Sequence, residues 1–510
     1  MSWRPRAILI ALCGLAGLAL GPSVASSKEL SGDAARAAKA RALTLELSAA
    51  DALKELQGTS EADQLLSLER ARALLYEGRG AEAAAILARP DLTDSDEAAA
   101  VGAAARGAER SMAGAVVVEN ADAGAWLRFQ DSADVVLAPL LNDVVKQTRA
   151  VFEKDLGVVM PPVVRIEVVR DQFGLAAMTG LPLSAARTTG TVGVAKWGRV
   201  IVVSPRATPK GYPILDTVAH ELAHLALTRG SRDRAPLWLQ EGVAREEESR
   251  WRDRNPFDDM PSANDLAAFG IRRKMGPDID KIGPSIALLP SAEEAHVTYA
   301  KVQSFMRFYA SEAGDGAMPK LLATLKDASG NAEMGEIVER ASGMTFSVWS
   351  DKWKAHVERT AKELPEDLKP GAPPPKELKD VRKRYRLGEL MLGRGHAAAA
   401  ASELERGHKL LPREASVRAL LAKALLDMGE REKAAKLVGE ATDVSGNDAR
   451  WWSLRAALDV GDVAAARRIA IGHAPYDPWV TCDEKNAPDL PDDPVQRALC
   501  QAAREKPRAR

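Results

Sequence analysis

The chain has 510 residues, which is more than a single hydrophobic core usually serves, so two to four domains are expected. The charge is almost balanced, with 70 Lys and Arg residues against 71 Asp and Glu residues, and this gives no support for a nucleic-acid or anionic-membrane partner. Aromatic residues make up only 5% of the chain and alanine is abundant, which favours a high helix content.

The first 25 residues have the pattern of a signal peptide. Arg4 and Arg6 precede an apolar run from Ala7 to Leu20, and Ser23-Val24-Ala25 suits a signal peptidase. The run has 14 residues, whereas a bilayer-spanning helix needs about 20. A retained membrane anchor is the alternative. Cleavage would release a periplasmic or secreted bacterial protein with no membrane span, because no later segment is apolar enough to cross a bilayer.

Residues 28–110 are predicted to form an N-terminal helical, repeat-like region. Apolar side chains recur at three- and four-residue spacing through this range. The segment Glu77-Gly78-Arg79-Gly80 is typical of the turn between two paired helices. From about residue 114 to 215 the pattern alternates between strands and helices. The predicted elements there are a β-branched run at 116–118, a long helix at about 135–156, a strand at 163–169, and a hairpin formed by 191–195 and 199–204.

Residues 215–362 have an almost wholly helical pattern, and a Pro-rich linker at 363–377 follows. Beyond the linker, Gly395, Gly429 and Gly461 each end one helix and precede an Ala-rich second helix. Their spacing of 34 and 32 residues resembles that of tetratricopeptide repeats, which we predict for residues 378–475. Such repeats would offer a surface for a protein partner. An unrelated Ala-rich helical bundle is the alternative.

The cysteines agree with export. Removal of the signal peptide leaves Cys482 and Cys500, which lie close together in the Pro/Asp-rich segment 476–510. In an oxidising compartment they are expected to form a disulfide, and the alternative is two unrelated thiols.

The motif His220-Glu221-Leu222-Ala223-His224 is the central chemical feature of the sequence. On a helix, His220 and His224 lie one turn apart on the same face, so both imidazoles can reach one zinc ion. Glu221 lies beside them, where it can take a proton from a water molecule on the metal. The chain has only seven histidines, which makes this spacing more informative.

A third ligand is predicted 17 positions after His224. Pro236 suits the first turn of a second helix, and Glu241 lies in that helix among apolar neighbours. A catalytic zinc has three protein ligands and keeps a fourth position open for water. We therefore expect His220, His224 and Glu241 to hold one Zn²⁺ per chain. The alternative for Glu241 is a solvated helix glutamate.

The combination of H-E-L-A-H with P-L-W-L-Q-E-G resembles the gluzincins, and most closely the bacterial peptidase MA-like proteins. For residues 114–362 the resemblance implies an α+β zincin fold, in which a twisted mixed sheet lies above the motif helix and a helical subdomain follows. It also implies that Glu221 is the general base and acid. The strand Arg199–Ser204 would be the edge strand that pairs with an extended peptide substrate. The alternative for that strand is an ordinary core strand.

The family resemblance also implies a donor that stabilises the oxyanion. At one other position the sequence departs from the family pattern. Tyr299 is the candidate donor, His296 is the second choice, and a packing role for Tyr299 is the alternative. Several gluzincins place an acid one turn after the glutamate ligand to orient a zinc histidine, but this chain has Arg245 there. Asp216, one turn before His220, is a candidate replacement or a helix-start carboxylate.

The sequence thus predicts an exported zinc metallopeptidase that acts on a peptide or protein substrate. A second hypothesis is a binding scaffold, in which the helical repeats carry the function and the zincin domain is weakly active or inactive. A third hypothesis is the hydrolysis of a non-protein amide.

Overall fold

The computed structural model divides the chain into two compact units. One unit consists of Met1–Pro209, Ile214–Asp253 and Ala263–Glu363, and the other consists of Lys210–Pro213, Arg254–Ser262 and Leu364–Arg510. The residues that the structure describes are 32–92, 95–184, 186, 190–207, 212–252, 261–283, 285–329, 332–371, 376–412, 414–439, 482 and 494–505, together with the backbone of 11–13. The rest of the predicted signal peptide therefore lies outside the described residues.

The described residues before 114 contain five α-helices: α1 (Gly32–Leu45), α2 (Ala49–Glu55), α3 (Gln64–Tyr76), α4 (Gly80–Leu87) and α5 (Asp96–Ser111). Asp63 begins α3, because its carboxylate accepts a hydrogen bond from the Leu66 backbone NH, and this satisfies a donor of the first turn. The predicted turn between α3 and α4 is present, with Gly78 at a φ of 76°. These helices belong to the same compact unit as the sheet.

The sheet mixes parallel and antiparallel pairs in the order β1-β5-β6-β4-β3-β2. Its strands are β1 (Ala11–Cys13), β2 (Val116–Asn120), β3 (Ala125–Phe129), β4 (Val164–Val169), β5 (Gly193–Lys196) and β6 (Arg199–Val203). Strands β3, β4 and β6 are parallel to one another, β2 is antiparallel to β3, and β5 is antiparallel to β6. Helix α6 (Ala138–Leu156) makes the crossover from β3 to β4 that a parallel pair requires.

The expectation that Arg199–Ser204 forms the edge strand is wrong. Strand β6 lies between β4 and β5, and all five of its residues are buried, so it is an ordinary core strand. The tight hairpin through Trp197 and Gly198 returns the chain, so β5 is the strand that lies outside β6. The backbone of β1 pairs with the other side of β5, in parallel.

Helix α7 (Gln172–Thr179) follows β4. In the described part of the first unit, seven α-helices follow β6: α8 (Ile214–Ser231), α9 (Leu237–Glu247), α10 (Ala263–Arg273), α11 (Ala292–Ala313), α12 (Ala317–Asp327), α13 (Met334–Ser342) and α14 (Phe346–Thr360). Gly242 allows α9 and α11 to approach closely, because a Cβ atom there would lie 2.4 Å from Met306 Cγ and 2.6 Å from the Val302 carbonyl oxygen.

Among the described residues, no helix is both long and apolar enough to cross a membrane.

A buried ionic cluster fixes the N-terminal helices to the sheet. Glu167 on β4 pairs with Arg128 on β3 and lies 3.4 Å from Arg199 Nε on β6, and neither Glu167 nor Arg199 is exposed. Arg165 pairs with Glu77, which follows α3. We call these five residues the sheet cluster. Arg199 also donates from Nη1 to the backbone carbonyl oxygen at the end of α3, at 3.4 Å.

The second unit contains two helix pairs before residue 440: α15 (Leu378–Gly393) with α16 (Ala397–Leu410), and α17 (Ala415–Asp427) with α18 (Arg431–Gly439). Gly395 and Gly429 form the two inter-helix turns with a φ of 80° each, a conformation that favours glycine. Gly388 packs closely on α16, because its Cβ would lie 2.6 Å from Leu404 Cγ. Gly461, the third predicted turn, lies outside the described residues.

The C-terminal helix α19 (Pro494–Glu505) carries Cys500. Cys500 forms a disulfide with Cys482, and their Cα atoms are 5.0 Å apart. Both cysteines are buried.

Candidate metal centre

Helix α8 carries the histidine motif into the interior of the first unit. Most residues of α8 are buried, apolar and polar alike. His220 and His224 are each 2% exposed, and Glu221 is not exposed at all. The two rings face one another edge to face, with centroids 4.8 Å apart. Ionisable side chains are seldom buried so completely unless they are paired or bind a metal.

Helix α9 brings Glu241 to the two histidines. Glu241 Oε2 lies 3.5 Å from His220 Nε2 and 3.8 Å from His224 Nε2. One potential ligand atom from each of the three residues lies within 4.8 Å of the other two. The three residues predicted as metal ligands are therefore adjacent, and all three are buried.

These separations fit a tetrahedral metal. Zinc binds imidazole nitrogen and carboxylate oxygen at about 2.0–2.2 Å, which places neighbouring ligand atoms roughly 3.4 Å apart. In addition, buried His220 Nε2 has no hydrogen-bond partner within the part of the chain that the structure describes. A cation between the histidines and Glu241 would satisfy that lone pair. Two imidazoles and one carboxylate form a donor set that is typical of zinc.

Each histidine is held at its other ring nitrogen. His220 Nδ1 lies 3.1 Å from Glu248 Oε2, and His224 Nδ1 lies 3.2 Å from Gln240 Oε1. A neutral imidazole that donates from Nδ1 presents the lone pair of Nε2, so both contacts favour the tautomer that binds a metal through Nε2.

The pKa values of the two histidines shift in opposite directions. Burial lowers the pKa of His220, but the carboxylates of Glu241 and Glu248 beside its two ring nitrogens outweigh burial and raise the pKa to about 9. Burial and the charge of His220 hold the pKa of His224 well below its ordinary value. At neutral pH His220 therefore holds a proton between the carboxylates of Glu241 and Glu248, where a divalent cation would replace it.

Glu221 lies beneath strand β5. Burial, aided by the negative charge of Glu241, raises the pKa of Glu221 to about 8. In the described part of the chain neither of its oxygens accepts a hydrogen bond of ordinary geometry, although the Ala195 backbone NH is a neighbour. A buried carboxyl group with a pKa near neutrality is suited to accept and release a proton.

Gly193 on β5 is a site residue that the sequence interpretation missed. A Cβ atom at this position would lie 2.9 Å from Glu221 Oε1 and 2.8 Å from Thr217 Cγ2. The absence of a side chain thus allows the Glu221 carboxylate to lie against the strand. A glycine inside a strand often marks a close approach, and this was the available signal.

Asp216 does not orient a histidine in the described contacts. Its carboxylate accepts hydrogen bonds from Arg252, at 2.9 and 2.6 Å, and from Trp251 Nε1, at 3.0 Å. Arg245 points to Glu248, with Nη1 2.8 Å from Oε2. The carboxylate beside His220 therefore belongs to Glu248, which the sequence interpretation did not single out.

Tyr299 and His296 lie on α11, the helix that packs against α9 across Gly242. Tyr299 is 3% exposed, and His296 is half-buried. The oxyanion-donor role of Tyr299 stays a prediction.

The comparisons with known proteins concern the second unit. Residues 391–458 match the tetratricopeptide repeat family, a range that begins in α15 and extends beyond α18. This match confirms the prediction of helical repeats after the linker. The chain has no match among curated proteins and none among solved structures.

Proposed function

We propose that this protein is an exported zinc-dependent metallopeptidase of the gluzincin type, periplasmic or secreted. The observation that supports the proposal best is the convergence of His220, His224 and Glu241, all buried, with Glu221 beside them under β5. Zinc would be held by the two Nε2 atoms and by the carboxylate of Glu241. When bound, zinc lowers the pKa of a coordinated water and polarises a carbonyl group.

The residues of the chain have separate roles in this proposal. Glu221 accepts a proton from the attacking water and delivers it to the leaving amine, and its raised pKa suits both transfers. Glu248 and Gln240 hold the two histidines in the binding tautomer. Tyr299 is the proposed donor to the oxyanion. Strand β5 lies over Glu221, and its outer edge pairs with β1, which belongs to the predicted signal peptide. In the mature protein that edge would be the binding site for an extended peptide.

A second candidate function has its own support. Tetratricopeptide repeats commonly mediate protein–protein interaction, and residues 391–458 match this family. The protein would then be a binding scaffold with a weakly active or inactive zincin domain. The same repeats are compatible with a peptidase that recruits its substrate or a partner protein.

The two functions can be separated with the mature protein and its Glu221→Gln variant. Zinc content and hydrolysis of a mixed peptide library are measured for both. The peptidase proposal predicts about one zinc per chain in both proteins and a loss of roughly 10²–10⁴-fold in hydrolysis for the variant. Glu246→Gln on α9 is the control with the same chemical change, because Glu246 pairs with Arg307 and not with the site, and it should keep full activity.

Two outcomes would contradict the proposal. Wild-type protein that binds no metal under zinc-replete conditions would exclude the metal centre. Zinc-loaded wild type with the same hydrolysis as Glu221→Gln would favour the scaffold.

A further inference from the structure

The two ligand histidines are held by chemically different groups. His220 Nδ1 faces a carboxylate, Glu248 Oε2, whereas His224 Nδ1 faces an amide oxygen, Gln240 Oε1. A carboxylate behind a metal-binding histidine increases the basicity of the ring and fixes its orientation more strongly than a neutral acceptor. His220 is therefore the histidine whose geometry depends on a charged neighbour.

Glu248 reaches His220 because of its position after α9. It comes seven residues after Glu241, which is two helical turns, so both carboxylates lie on the same face. The chain keeps helical geometry at Glu248, with a φ of −58° and a ψ of −25°, and its backbone NH still bonds to the Ala244 carbonyl oxygen. The helical register thus continues through the residue that contacts the ligand.

In the sequence, Arg245 comes one helical turn after Glu241 and three residues before Glu248. A guanidinium has only donors, so it cannot accept a hydrogen bond from a histidine. Instead, Arg245 Nη1 lies 2.8 Å from the same Glu248 oxygen that faces His220. That oxygen thus contacts both residues, and Arg245 fixes the rotamer from which Glu248 reaches the ring.

We propose that Glu248 is the positioning residue for His220 and that Arg245 supports it. In this chain the histidine is oriented by a carboxylate two turns after the glutamate ligand, and the residue one turn after that ligand orients the carboxylate. The proposal rests on the proposed metal centre, but it concerns contacts that exist in the metal-free protein.

The test compares zinc affinity among variants of the mature protein by competition with a chromophoric chelator. Glu248→Ala should weaken zinc binding by about 10–100-fold, as the loss of such outer partners usually does. Glu248→Gln keeps an acceptor oxygen and loses the charge, so its affinity should lie between those of wild type and Glu248→Ala.

Glu246→Ala is a closely matched control. Glu246 and Glu248 lie at the same end of the helix, both side chains are 22% exposed, and each pairs with an arginine, but Glu246 pairs with Arg307. Glu246→Ala should bind zinc as wild type does. Equal weakening in Glu246→Ala and Glu248→Ala, or no weakening in Glu248→Ala, would overturn the proposal. Melting in EDTA identifies any variant that has lost its fold.

Arg245→Met tests whether Arg245 supports Glu248, because the two possible roles change the zinc affinity in opposite directions. If Arg245 mainly repelled the metal, its removal would tighten zinc binding. The support role predicts the opposite, a weakening by a few-fold, because Glu248 loses the partner that fixes its rotamer. Tighter binding in Arg245→Met would exclude the support role.

Nitrogen NMR of the histidine rings separates this proposal from the metal-centre proposal. In metal-free protein at a pH where His220 is neutral, wild type should show the Nδ1-protonated tautomer, and Glu248→Ala should show a mixture. Wild type that holds this tautomer but binds no zinc would contradict the metal centre alone. Zinc-binding wild type with identical ring signals in Glu248→Ala would contradict the positioning role alone.

Discussion

Two of the buried polar clusters in the first unit, the sheet cluster and the candidate metal centre, differ in where their counter-charges come from. In the sheet cluster, each carboxylate has a guanidinium partner: Glu167 has Arg128 and Arg199, and Glu77 has Arg165. In the candidate metal centre, carboxylates and imidazoles converge, and the nearby guanidinium of Arg245 is directed to Glu248 instead. The sheet cluster contains its own counter-charges, whereas the candidate metal centre consists of potential metal ligands that converge on one point.

This difference separates a structural role from a ligand-binding role. Burying charges costs several kcal/mol per ion, roughly, unless partners replace the lost water. The sheet cluster meets that cost internally and holds the N-terminal helices on the sheet. The candidate metal centre meets part of it through the proton on His220, which a bound cation would replace. Burial and charge alone do not distinguish the two groups, but the difference in counter-charge supports the proposal that the second group binds a cation.

The largest expected effect is on the free energy of unfolding when one carboxylate is removed from each group. Glu167→Ala should lower the free energy of unfolding by about 3–5 kcal/mol, because it leaves Arg199 buried beside unbalanced positive charge. Glu241→Ala should change the metal-free value far less and should abolish the extra stability that zinc gives. Urea unfolding with EDTA and with zinc measures both. Similar losses for the two variants without metal would remove the distinction.

A smaller effect is expected from Gly193→Ala. The added methyl would meet the Glu221 carboxylate and displace it, so hydrolysis should fall by roughly 10²-fold while zinc is retained. Gly335→Ala is the control, because its added methyl meets no atom within 4 Å. Kinetics and metal content are measured on the same preparations. Unchanged activity in Gly193→Ala would mean that the carboxylate position is not restricted by β5.

The smallest effect is the pH dependence of the metal-free protein. Folding raises the pKa of His220 from 6.5 to about 9 and that of Glu221 from 4.5 to about 8. Both groups bind more protons in the folded state between pH 6.5 and 9, so the stability they contribute should be lost as the pH rises through this range. Below pH 6.5 the lowered pKa of His224 acts in the opposite direction.

Unfolding at several pH values in EDTA measures this slope. Glu221→Gln should flatten it, because one of the two groups no longer titrates. An equally steep slope in Glu221→Gln would assign the dependence to other residues.

The features that could be predicted are those set by residues close together in the sequence. The motif helix and the hairpin around Trp197 follow from local spacing and turn chemistry, and Glu241 follows from an apolar helix at a fixed distance from His224. The place of β6 within the sheet could not be predicted this way, because strand order depends on pairing with β4, more than 30 residues earlier.

Gly193 and Glu248 were missed for different physical reasons. The contact of Gly193 with Glu221 joins two elements whose packing no local pattern encodes. The contact of Glu248 with His220 follows from a seven-residue helical spacing, so the information was present in the sequence, but it required the helical register to continue to that residue. The contacts of the helices before residue 114 with the sheet could not be predicted either, because Arg165 and Arg199 lie far along the chain from the end of α3.

The close approach of Tyr76 to Gly198 has a consequence for how this protein could be divided or recombined. Gly198 lies in the hairpin that carries Gly193, and a Cβ atom there would lie 2.3 Å from the Tyr76 ring. The N-terminal helices thus form one wall of the hairpin that covers the candidate catalytic glutamate. A truncated form that begins at residue 114 would lose that wall. Exchange of modules between proteins would therefore have to keep the N-terminal helices with the candidate metal centre.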